Sequence, residues 1–202
     1  MAAVLRGTTL LAALVCLGGC GEPGSITELV VGADVLGLEV PEEVESLRFE
    51  VVTGPRRADI QQIVVPVSPR QRFAASLPVS WGLWEQDQGD APFEVVVSAF
   101  AYLGQEDRDG PIVTQRAQLR FVMGEVRHVC LVLDASCAGM DCGAGATCAL
   151  DGASPRCVPI CVDAELMPSF RRNDEPCTAG SGLVDVARTG ASCAPLWAAD
   201  GG

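Results

Sequence analysis

From residue 26 onward, short apolar and β-branched runs alternate with clusters of Gly, Pro, Asp and Gln. The runs are Ile26–Val31, Val35–Val40, Leu47–Thr53, Ile60–Val67, Arg72–Leu77, Phe93–Leu103, Ile112–Val122 and Val126–Asp134. Several alternate with period two, as half-buried strands do, so that Leu47, Phe49 and Val51 share one face and Phe93, Val95, Val97 and Ala99 share another. No long amphipathic helix pattern competes with them. Asp109-Gly110-Pro111 predicts a hairpin turn between the two longest runs, and Pro41 and Pro66 are expected at strand ends or edges.

Short strands separated by turn residues over about 110 residues predict a mainly β fold, an antiparallel immunoglobulin-like or transthyretin-like sandwich across residues 26–135. After residue 135 the composition changes. Eight of the ten cysteines lie from Cys130 onward, Gly and Ala become frequent, and β-branched residues thin out. With few large apolar side chains this part needs cross-links for order, so a small disulfide-rich module is expected over 136–162, followed by an irregular tail over 163–202.

The N-terminus reads as a leader. Arg6 supplies a positive n-region, and the apolar run Thr8 to Leu17 is too short to span about 30 Å of hydrocarbon. The run ends in Leu17-Gly18-Gly19-Cys20. These four residues resemble the bacterial lipoprotein signal: an aliphatic residue, two small ones that admit a peptidase, and a Cys whose thiol takes up a diacylglyceryl group. The resemblance implies that residues 1–19 are removed and that Cys20 begins the mature chain as its lipidated residue. Residues 21–25, Gly-Glu-Pro-Gly-Ser, are small, polar and turn-prone, which suits a short tether over 20–25. Two or three acyl chains, at about 0.8 kcal/mol per buried methylene, hold a protein on a bilayer almost permanently. Cys16 is preceded by bulky Val15 and fits the signal poorly. Gly21, where enteric-type bacteria place Asp to retain a lipoprotein on the inner membrane, points to the outer membrane.

Charge narrows the partners. The chain has 202 residues with a net charge of −12, and every basic residue is Arg. Removing the leader takes away Arg6 and no acid, leaving 13 Arg against 26 acids. Such a surface repels nucleic-acid phosphate and anionic headgroups alike, so no nucleic-acid partner is expected.

The mature cysteines are Cys130, Cys137, Cys142, Cys148, Cys157, Cys161, Cys177 and Cys193, an even number in an exported chain, which favours disulfides. A zinc site is disfavoured, because there is no Cys-x-x-Cys pair and the single histidine, His128, falls on a predicted strand. On that last strand Val129, Leu131 and Leu133 share one face and His128, Cys130 and Val132 the other. Cys130 is therefore expected to face outward and tie the sandwich to the module, with Cys161 as partner, leaving Cys177 to pair with Cys193. The run Cys137, Cys142, Cys148, Cys157, with its glycine-rich segment before Cys148, resembles the first half of an EGF-like module. That resemblance covers about 25 residues and implies the pairs Cys137–Cys148 and Cys142–Cys157. The gap from Cys157 to Cys161 is wider than the family prefers. The layout of lipobox, β-rich body and Cys-x4-Cys-Gly-x-Gly-x-Thr-Cys segment, followed by Cys161-Val162-Asp163-Ala164, resembles a broad group of bacterial lipoproteins that supplies no activity to transfer.

Chemistry is sparsely signalled. A Ser/His/Asp or Cys/His enzyme needs a histidine, and His128 reads as a surface or structural side chain on its strand. There is no nucleophile elbow, phosphate-cradling glycine loop or His-Glu-x-x-His. Neither a catalytic residue nor a cofactor or metal site is expected. Carboxylates cluster at Glu85, Asp87 and Asp90 and again at Glu106, Asp107 and Asp109, and the second group lacks the spacing of an EF-hand and reads as a solvated hairpin turn. The most suggestive binding feature is Trp81 and Trp84 in a loop, since exposed aromatic faces stack on sugars or anchor a partner; the bland alternative is that both cap the core. Arg56-Arg57 and Arg171-Arg172 read as solvated pairs. The expected function is a lipid-anchored envelope protein that binds or recognises an envelope polysaccharide or protein. A purely structural envelope component and a carboxylate-based hydrolase are the alternatives. Whether the body faces periplasm or medium is left open.

Overall fold

The computed structural model describes residues 26–53, 59–85, 91–104, 108–143, 145–151, 154–170 and 177. Cys20, Cys193, Asp87, Asp90, Glu106, Asp107 and both Arg-Arg pairs lie outside them. The described residues form nine strands: β1 Glu28–Leu36, β2 Ser46–Thr53, β3 Asp59–Pro66, β4 Val79–Trp84, β5 Phe93–Phe100, β6 Val113–Leu119, β7 Val126–Asp134, β8 Ala146–Asp151 and β9 Ser154–Pro159.

The first seven make two facing sheets, of order β4-β1-β7 and β3-β2-β5-β6. The period-two faces read from the sequence meet between them. Leu29, Val31 and Ala33 of β1 and Val129, Leu131 and Leu133 of β7 pack against Leu47, Phe49 and Val51 of β2 and Phe93, Val95, Val97 and Ala99 of β5. The mainly β sandwich with a disulfide-rich C-terminal part is therefore the observed fold. One pairing departs from the antiparallel expectation. The first and last strands of the sandwich, β1 and β7, run parallel, Glu28 opposite Val126 and Leu36 opposite Asp134. Parallel neighbours need a long connection, and here the rest of the sandwich supplies it.

Three strand assignments change. Ile26–Val31 and Val35–Val40 are one strand, which ends where Gly37 takes φ +74°, a left-handed conformation that glycine adopts without a Cβ clash. Arg72–Leu77 is a connection, and the strand lies just after it at Val79–Trp84. Its alternation, Val79 and Leu83 buried against Ser80 and Trp84 exposed, is itself period two, but Gly82 and Trp81 give it the composition of a loop. Strands β5 and β6 do form an antiparallel hairpin. They are joined by the twelve-residue stretch 101–112 rather than by a tight turn at Asp109-Gly110-Pro111.

The cysteine-rich part closes the side of the sandwich where β6 and β7 end the two sheets. Cys137 sits in a 3-10 turn directly after β7, and its disulfide partner Cys148 on β8 shares the main core, both being buried. The chain then runs along both edges. Gln118 N–H donates to Ile160 O at 2.7 Å and Val162 N–H to Gln118 O at 3.1 Å, pairing with β6. Farther on, His128 N–H donates to Pro168 O at 3.1 Å and Phe170 N–H to Val126 O at 2.8 Å, pairing with β7. This strap occupies hydrogen-bonding groups that an open sheet edge would offer to another chain. Among the described residues, β3 and β4 remain as the edges on the other side.

The structure pairs Cys137 with Cys148 and Cys142 with Cys157, the two cross-links implied by the EGF-like resemblance. Cys130 departs from expectation. It does lie on the face of β7 away from the core, but its partner is Cys177, with Cα atoms 5.2 Å apart, and not Cys161. Cys161 stands beside Gln118 of β6 in the other sheet and is itself disulfide-bonded; with Cys177 taken by Cys130, the expected Cys177–Cys193 pair is not formed either.

Candidate functional site

The topology sorts the connections into two poles. One holds the start of β1, the ends of β4 and β6, and the starts of β5 and β7, because Glu28 lies opposite both Trp84 and Val126 and Phe93 lies opposite Leu119. The other holds the end of β1, the start of β2 and the long connections 67–78 and 101–112.

At this second pole Glu45 gathers three segments. Its carbonyl accepts N–H bonds from Val67 at 2.9 Å and Ser68 at 3.2 Å, and its N–H donates to Phe100 O at 3.0 Å. Its Oε2 accepts the Leu103 N–H at 3.3 Å. Arg70 Nη2 donates to Glu42 Oε1 at 3.1 Å, joining the 67–78 connection to the turn after β1. Both members of that pair are well exposed, so its energetic contribution is small and its effect is positional.

On this frame stand two aromatic side chains that face water. Phe73 is 83% exposed, with the Arg72 guanidinium 5.5 Å from its ring centroid, and Tyr102 is 56% exposed. Sequence reasoning passed over both. Phe73 lies within a run read as a strand, and Tyr102 at the end of another; nothing in either local pattern says which aromatic ring a sandwich leaves uncovered. A cavity of about 240 Å³ lies near the same pole, between the start of β6 and the cysteine loop, lined by Thr114, Arg116, Met140 and Asp141 among others.

The two tryptophans expected in one loop sit instead on edge strand β4, three residues apart and so on opposite faces. Trp81 turns inward and meets Phe49 edge-on, centroids 6.1 Å apart. Trp84 is 58% exposed and lies over Gly82. A Cβ at Gly82 would stand 2.7 Å from Glu28 Oε1, so glycine leaves room there for the Glu28 carboxylate. A small cavity of about 110 Å³ between the sheets is bordered by Trp81, Trp84, Phe93 and Phe121. Trp84 ends β4 at the first pole and Trp81 stands mid-ladder opposite Val31.

His128 is buried under the strap at 4% exposure, its ring edge-on to Phe170 at 5.7 Å. On the outer face of the second sheet the buried Glu94 carboxylate lies 3.7 Å from Arg116 Nη1. Glu85 is half-buried just after β4 and Asp109 is exposed before Gly110. Among the described residues no three His, Cys, Asp or Glu side chains converge as metal ligands. The chain matches no family model, no curated protein and no solved structure.

Exposed aromatic faces beside a guanidinium have the chemistry to stack on planar groups or on sugar rings.

Proposed function

We propose that this chain is an exported bacterial lipoprotein, anchored in the outer membrane through acylated Cys20, whose sandwich presents a recognition surface to an envelope polysaccharide or protein. The observation that carries the reading is polarity. The chain enters β1 at the pole nearest the tether, and Phe73 and Tyr102 stand on the opposite pole, about 26 Å away along a nine-residue strand. A surface meant to meet something beyond its own membrane belongs at that far end. The disulfides fit an oxidising compartment outside the cytoplasm.

The test is retention of the purified mature chain on peptidoglycan sacculi and on immobilised lipopolysaccharide, compared with F73S/Y102S. Retention that drops at least tenfold in the double variant, with thermal unfolding unchanged, supports recognition through the far pole. Equal retention of both proteins sinks it. Absence of retention in both favours the purely structural role.

A further inference from the structure

Three exposed large apolar residues lie at the pole where the chain enters the fold. Ile26 is 64% exposed, Trp84 58% and Met123 60%. Their proximity follows from backbone pairing. Trp84 lies opposite Glu28 in the β1–β4 ladder, Gly124 N–H donates to Thr27 Oγ1 at 2.8 Å, and Glu28 N–H donates to Glu125 O at 3.1 Å. The three therefore flank the first residues of β1 from the preceding chain, from one neighbouring strand and from the turn before the other. Apolar side chains this exposed need a reason when the backbone brings them to one end of a molecule.

Their place in the chain suggests the occupant. Ile26 stands six residues after Cys20. At about 3.3–3.6 Å per residue, that stretch reaches at most roughly 22 Å even when fully extended. A sandwich held on so short a leash, and about 26 Å long itself, keeps this pole nearest the lipid. We propose that Ile26, Trp84 and Met123 form a membrane-resting rim, inserted among phospholipid headgroups beside the acylated Cys20, which fixes the orientation of the sandwich and points Phe73 and Tyr102 away. The inference rests on the lipid-anchor reading. An indole suits the headgroup level, where one side of the ring meets acyl chains and its N–H meets water. The negative net charge excludes attraction to anionic lipid as the driving force, so the contact is apolar and tolerates zwitterionic headgroups and salt.

The experiment uses the full mature chain purified from membranes. Its intact mass is recorded first, and it is then reconstituted in phosphatidylethanolamine/phosphatidylcholine vesicles containing lipid brominated near the headgroup. Tryptophan emission is compared between the wild type and W84F, whose difference isolates Trp84. A side chain seated about 5–10 Å into the headgroup and acyl boundary comes within reach of bromine, so roughly half of the Trp84 emission is expected to be lost, in high and low salt alike. Acylated protein whose Trp84 emission is untouched by brominated lipid overturns the rim alone. A mass without acyl groups overturns the anchor and the rim with it. Since W84F alters an exposed ring, an unchanged melting temperature checks that the comparison reports position and not folding.

Discussion

Gln115 of β6 and Thr147 of β8 hold the sandwich and the cysteine-rich segment together through a closed hydrogen-bond relay. The Thr147 hydroxyl donates to Gln115 Oε1 at 3.0 Å and accepts the Arg116 N–H at 3.1 Å. Gln115 Nε2 donates to the Cys148 carbonyl at 2.8 Å. Both side chains are buried, so each bond removed leaves a polar atom without water to replace it.

Thr147→Val keeps shape and removes the hydroxyl, leaving Gln115 Oε1 and the Arg116 N–H unsatisfied. We expect a loss of about 1–3 kcal/mol, measured as a lower urea midpoint at constant slope. A neutral outcome shows that the relay does not couple the two parts.

The tryptophans are expected to separate cleanly. Trp81→Ala removes a ring packed against Phe49 and the core, at a cost of about 3 kcal/mol, whereas Trp84→Ala stays within about 0.5 kcal/mol of wild type. Thermal unfolding of the two variants side by side provides the check.

Cross-link mapping distinguishes the observed pairing from the one suggested by strand order. A non-reducing peptide map should yield Cys130–Cys177, Cys137–Cys148 and Cys142–Cys157. On the proposed lipoprotein reading, the same map tests whether Cys161 is joined to Cys193. Recovery of Cys130–Cys161 contradicts the structure.

The Cys130–Cys177 bond closes the longest of the three loops, 47 residues apart in sequence. On the chain-entropy model its replacement in C130S/C177S costs about 4 kcal/mol. It also frees the strap segment beside His128, so amide exchange at His128 and Phe170 is expected to accelerate well before that of β2 and β5. Uniform exchange across the sandwich would show instead that the strap is held by its edge pairing alone.

Much of this molecule was legible in one dimension. Period-two alternation identified the inward faces of β2 and β5, since a pleated strand sends successive side chains to opposite sides whatever surrounds it. The same rule placed Cys130 on the outer face of β7. Two disulfide pairs, Cys137–Cys148 and Cys142–Cys157, are those that the EGF-like resemblance of the glycine-rich cysteine run implies. The leader and the lipidated Cys20 are expectations that follow from chain order, and they fall outside the described residues.

What alternation cannot specify is which strand lies beside which. The parallel meeting of β1 and β7, the partner of Cys130, and the seating of Cys148 in the sandwich core all join residues far apart in sequence, through packing that no local window contains. Exposure of aromatic rings was decided in the same way. Trp81 and Trp84 share a strand and differ in fate because one faces the second sheet, while Phe73 and Tyr102 stand in water because their connections lie at the pole beyond the sheets. Residue type sets how strongly a side chain favours burial, but only the assembled sheets determine whether there is anything to bury it against.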